Sequence, residues 1–108
     1  DGGFGGARVL LTRDHGATWT EIGRRLPDLP ISAVALHRSA GQRQIFVGAD
    51  RGVYATANDG ASWIPYGAGL PNVPVHDVVV DAVHGRLLVA TLGRGVWQCP
   101  LVPVRGGR

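Results

Sequence analysis

One eight-residue phrase is written twice in this chain. "TRDHGATW" runs from Thr12 to Trp19 and "TANDGASW" from Thr56 to Trp63, so the two tryptophans stand 44 residues apart. The flanking text repeats too. "LPDLPISAVAL" (Leu26 to Leu36) matches "LPNVPVHDVVV" (Leu70 to Val80) at the same offset. "IFVGADRGVY" (Ile45 to Tyr54) matches "LLVATLGRGVW" (Leu87 to Trp97) at an offset of 43, counted from Gly52 and Gly95. That places a one-residue slip between "HRSAGQRQ" and "DAVHGRL", in a turn, where a deletion costs little. Self-similarity at a fixed period means stacked copies of one supersecondary unit, each covering its neighbour's apolar face.

The unit is built of strands. "ISAVALH" (Ile31 to His37) alternates apolar with small or polar residues, as a half-buried strand does. "QIFVGA" (Gln44 to Ala49) is nearly all apolar and reads as a strand buried on both faces. "GVYAT" (Gly52 to Thr56) and "SWIPY" (Ser62 to Tyr66) complete four. The next unit offers "VHDVVVD", "RLLVATL" and "GVWQC"; "LVPV" (Leu101 to Val104) is a weak fourth strand because Pro103 interrupts it. "RVLLT" and "TWTEI" supply two strands ahead of the complete unit. With 17 Gly and 7 Pro in 108 residues, tight turns between short strands fit the composition. A period in the mid-forties with four short strands predicts one β-propeller blade per repeat. The expected fold is all-β: antiparallel four-stranded blades forming a partial, open propeller of about two to two and a half blades. Residues 1–23 hold the last two strands of a preceding blade, 26–66 a complete blade, 70–99 three strands of a final blade, and 100–108 a C-terminal tail. A closed ring needs roughly four blades or more, or about 176 residues. The expected partners are therefore the remaining blades of a parent propeller or further copies of this chain. The absence of Met, position 1 included, predicts a piece excised from a longer protein.

The net charge is +3 and every basic side chain is Arg. Guanidinium groups suit phosphate and carboxylate, but these are scattered, with only Arg24–Arg25 adjacent, and read as compositional bias. No basic stripe interleaved with aromatics marks a nucleic-acid surface. No apolar run reaches the roughly 18 residues of a membrane span, and no signal peptide is visible. Cys99 is the single cysteine, so no disulfide forms within the chain.

Few residues carry chemistry. Glycoside hydrolysis needs two facing carboxyl groups. Outside the repeated phrase the candidates are Glu21, Asp28, Asp50, Asp77 and Asp81; Asp77 stands at an outward or inter-sheet strand position, and each reads as a solvated turn residue. His15, His37, His76 and His84 show no helical or Cys-linked metal spacing, so no metal or cofactor is expected. Cys99 lacks a partnered His in the sequence pattern. "GGFGG" (Gly2 to Gly6) precedes a strand, not a helix, and reads as a connection rather than a phosphate loop.

The repeated phrase resembles the Asp box of the bacterial neuraminidase repeat family, Ser/Thr-x-Asp-x-Gly-x-Thr/Ser-Trp. Thr12, Asp14, Gly16, Thr18 and Trp19 match in the first copy. Thr56, Gly60, Ser62 and Trp63 match in the second, with Asn58 in the Asp place. "GFGGARVLLTRDHGATW", "GLPNVPVHDVVVD" and "ATLGRGVW" resemble the closing blades of secreted bacterial Asp-box propellers of glycosyl hydrolase-like type; sortilin-type receptors, sialidases and xyloglucanases share the box. A short carboxylate or amide at 14 and 58 accepts bonds from its own turn, the glycines permit positive φ, and the tryptophans are expected to bury their rings against a neighbouring sheet. In the family the box is remote from the active face, so the ten box residues are expected to be structural. A sialidase-like site also needs an arginine cluster and a Tyr–Glu pair; Tyr54 and Tyr66 are present, but Glu21 lies in a different blade. The resemblance implies a secreted or extracytoplasmic protein. It implies a non-catalytic structural or interaction segment of a propeller that binds a glycan or protein ligand. The alternative is the C-terminal part of a glycoside hydrolase-like enzyme whose carboxylates lie mainly in other blades.

Overall fold

A computed structural model describes residues 9–12, 14–27, 30–39, 41–67, 69–70 and 72–102. Asp28, the "GGFGG" stretch and residues 103–108 of the expected tail lie outside them. Every regular element among the described residues is a β-strand: β1 (Leu10–Leu11), β2 (Thr20–Glu21), β3 (Ile31–Ser39), β4 (Gln42–Ala49), β5 (Gly52–Thr56), β6 (Ile64–Tyr66), β7 (Val75–Asp81), β8 (Arg86–Thr91) and β9 (Gly95–Pro100). They pair antiparallel with their chain neighbours into sheets ordered β1-β2, β3-β4-β5-β6 and β7-β8-β9.

β6 starts two residues later than the sequence suggests, because Ser62 gives its amide to the Asn58 side chain instead of the ladder. β9 runs on to Pro100 and Leu101 donates to Gly85 O at 2.9 Å, while Leu101 and Val102 form no further strand.

The repeat extends to the ladder itself. Both hairpins that open a sheet shift register at the same place, between Ile31 and Ala33 and between Val75 and Asp77. The slip between copies is divided differently from the single deletion that the glycines suggest. Val34 faces Val47; 44 residues on, Val78 faces Val89, which lies only 42 after Val47. Two residues are lost near the first turn, and one is regained in the second. There Ala49 pairs with Gly52, whereas Thr91 pairs with Gly95.

The core lies between sheets. β4 is buried on both faces, as its apolar run predicts. Ile45 and Val47 pack with Val9 and Ile22 beside the β1-β2 sheet. Phe46, with Val53 and Ala55, packs on Val75, Val78, Leu87, Val89 and Cys99 of the third sheet. Phe46 also meets Tyr66 edge-to-face at 4.9 Å between centroids. The two junctions use matching positions: Val9, Leu11 and Ile22 do in one what Val53, Ala55 and Tyr66 do in the other. Gly48 sets the closest approach of the second junction. A Cβ there would lie 2.6 Å from Val75 Cγ1, so only a glycine admits β7 at this spacing.

Candidate functional site

Each repeated turn is held by several hydrogen bonds among its own side chains and amides. In the first, Asp14 Oδ1 accepts from the Thr18 amide at 2.8 Å and Asp14 Oδ2 from the Thr18 hydroxyl at 2.6 Å. The Thr12 hydroxyl donates to Asp14 at 2.9 Å and accepts from the Gly16 amide at 2.9 Å. In the second, Asn58 Oδ1 accepts from the Ser62 amide at 3.0 Å, and Thr56 repeats the part of Thr12. Asn58 differs in one bond: its amide donates to the Ser62 hydroxyl at 3.0 Å, where Asp14 accepts from Thr18. These bonds to Thr18, from hydroxyl and then amide, hold the Asp14 carboxyl below its ordinary pKa.

Each turn needs two left-handed residues, His15 and Gly16 (φ 57° and 94°) and Asp59 and Gly60 (φ 55° and 90°). Ala17 and Ala61 close them on Asp14 O and Asn58 O. Two successive positive φ values in a tight turn match the right-handed twist of the hairpin. His15, a variable box position in the sequence, thus has a backbone role.

The indoles separate the two copies. Trp63 Nε1 donates to Ile22 O at 3.0 Å, and its ring packs beside Val9, Ile22, Ile45 and Val47. Trp19 donates instead to Gly16 O of its own turn at 3.2 Å and is 57% exposed. The expectation that both rings bury against a neighbouring sheet therefore holds for Trp63 and fails for Trp19. Turn geometry is local and repeats; burial requires a surface to lie against. Gly60 belongs to the same contact, since a Cβ there would come within 2.1 Å of Ile22 O.

A cleft of about 460 Å³ opens between the end of β2 and this second turn, bordered by Thr20, Glu21, Arg24, Arg25, Asn58 and Asp59. Its acids are engaged. Glu21 accepts from the Gly23 amide at 2.8 Å and lies 4.0 Å from Arg24. Asp59 takes a two-pronged contact from Arg43, Nε at 2.9 Å and Nη2 at 2.7 Å, which raises the Arg43 pKa. This clasp of β4 on the box turn is absent from the sequence reading. Only the β4–β5 register, which pairs Ile45 with Thr56, brings residue 43 beside the turn.

The other candidates are dispersed. Asp81 accepts from Arg86 Nε at 2.8 Å and lies 2.9 Å from His84 Nδ1; chiefly through Arg86, its pKa is lowered. Asp77 accepts from the Val78 amide beside the register shift. Asp50 is exposed in the β4–β5 turn. His37 Nδ1 lies 3.3 Å from the acceptor Oε1 of Gln44, whose Nε2 donates to Val102 O at 2.9 Å. Tyr66, one of the two tyrosines considered for a catalytic pair, uses its hydroxyl to hold Pro100 O and the Val102 amide. Cys99 is buried in the core, which pushes its thiol pKa up, away from nucleophilic use. Among the described residues no group of three His, Cys, Asp or Glu is arranged to hold a metal ion. No helix among them is long and apolar enough to cross a membrane. No family model, curated protein or solved structure matches the chain.

Proposed function

We propose that this chain is a structural and interaction segment of an Asp-box β-propeller. It is non-catalytic on its own and contributes blades to a propeller that binds a glycan or protein ligand. The observation that carries this reading is the serial docking of sheets through matching residues. Trp63 and Gly60 meet Ile22 at one junction, and Tyr66, the counterpart of Ile22, packs against the core of the next. Trp63 apart, the polar box residues spend hydrogen bonds on their own turns, which supports a scaffolding part for them. Apolar side chains also stand open, with Val34 and Leu36 on the face that the β1-β2 sheet partly covers and Val79 and Val96 on the outer face of the third sheet. Exposed sheet faces of this kind mark interaction surfaces.

Two measurements on the full chain test this. A fluorescent apolar dye is expected to bind the native protein strongly, and chromogenic glycosides, sialosides included, are expected to release nothing above the blank. Weak dye binding would remove the need for neighbouring blades. Turnover abolished by substituting one of the carboxylates would replace the scaffold reading with an enzymatic one.

A further inference from the structure

Sheet β1-β2 covers only part of the face it packs on. It reaches Ile45 and Val47 of β4. Val34 and Leu36, their ladder partners on the same face of β3, remain 55% and 45% exposed. At the other junction the β3–β4 hairpin, with Ala33, Ala35, Phe46 and Gly48, leaves the counterpart Val78 only 4% exposed and Val80 half-buried. β1 corresponds to β5, which has β4 on one side and β6 on the other. Among the described residues β1 pairs only with β2.

Resting on the blade reading above, we propose that the groove formed by Val34, Leu36 and the edge of β1 that no described strand pairs with binds a two-stranded antiparallel β-hairpin. Its first strand presents small residues toward Val34 and Leu36. Its second strand pairs with β1 and carries an aromatic residue, then a glycine two positions on. The established junction supplies this description, because the groove continues it with aliphatic side chains at matching positions. The glycine is required where a side chain would strike the β3 residue opposite, as a Cβ at Gly48 would strike Val75. The backbone of β1 adds strand pairing to the apolar contact.

The probe is a backbone-cyclised peptide with the sequence from Ile31 to Ala49, added to the full chain and followed by hydrogen exchange and NMR. The expected result is saturable binding that slows exchange of the β1 amides. Val34→Lys with Leu36→Glu, both at exposed positions, weakens binding about tenfold or more, as does Gly→Val at the Gly48 place of the peptide. Val79→Lys with Val96→Glu, on the opposite outer face, leaves it unchanged. The same hairpin fused ahead of Asp1 provides a second arm at high local concentration. Lack of β1 protection in both arms overturns the proposal, as does binding that survives Val34→Lys with Leu36→Glu. Self-association of the chain that these two changes abolish would overturn it in favour of a second copy. Fast exchange of the Trp63 indole proton would instead count against the blade reading; a protected indole with an empty groove leaves that reading standing and removes only the hairpin.

Discussion

Trp63 donates its indole proton to the main-chain oxygen of Ile22 across 3.0 Å, whereas Trp19, in the same turn 44 residues earlier, bonds only to Gly16. One tryptophan therefore ties two sheets together and the other bonds within its own turn. Trp63→Phe keeps most of the ring and leaves Ile22 O without its partner, so a loss of about 1–2 kcal/mol is expected. Trp19→Phe, at an exposed ring, is expected to cost less than about 0.5 kcal/mol. Urea unfolding of the two variants checks this, and equal losses would contradict the different roles.

The glycines of the two turns separate backbone strain from contact. Gly16 and Gly60 have nearly the same φ, 94° and 90°. A Cβ at 16 meets only Trp19, at 3.8 Å, while one at 60 runs into Ile22 O at 2.1 Å. Gly16→Ala is expected to cost about 1–2 kcal/mol for the left-handed backbone alone. Gly60→Ala adds the clash and is expected to cost about 3 kcal/mol or more. Thermal melts of both would show a clearly larger drop for Gly60→Ala; similar drops would mean that the first junction is loose.

The strand pattern was legible because its causes are local. The apolar run Ile45 to Ala49, short and followed by a Gly-containing turn, reads as a strand covered on both sides, and that is where β4 lies. The box turns were legible because Thr12, Asp14 and Thr18 bond to each other within a few residues. Trp19 could not be read this way, since its ring needs a surface from elsewhere in space. The division of the slip was hidden as well: aligning Gly52 with Gly95 sets β5 against β9 but leaves β4 free to slide along a run of similar side chains. The Arg43–Asp59 clasp joins residues 16 apart and becomes visible only once the ladder register is fixed.

Gly48 and Val75 make the second junction testable by compensation. Gly48→Ala places a methyl group 2.6 Å from Val75 Cγ1 and 3.0 Å from Val78 Cγ2. Overpacking of this kind costs about 1–3 kcal/mol. Val75→Ala removes the obstructing branches at a cost of its own. The double variant is expected to be more stable than the sum of the two losses predicts, with a coupling of about 1 kcal/mol. Additive losses, measured by chemical denaturation of the full cycle, would mean that the two residues do not meet.

The acid response should distinguish positions 14 and 58 of the two turns, because one holds a carboxylate and the other an amide. Thr18 holds the Asp14 pKa below its ordinary value, while Asn58 does not titrate. A folded-state pKa below the unfolded value of about 3.9 gives a contribution that is complete above that value and is lost as pH falls through the folded one. The Thr18 amide resonance is therefore expected to titrate with a midpoint below about 3.9, and the Ser62 amide to show no transition that depends on residue 58. Asp14→Asn abolishes the Thr18 transition. Asn58→Asp creates one at Ser62, because a carboxylate there accepts from the Ser62 hydroxyl as Asp14 does from Thr18. A Thr18 midpoint at or above the ordinary value would show that the hydroxyl and amide of Thr18 do not hold the charged carboxylate, and with that the equivalence of the two boxes in their polar chemistry would be lost.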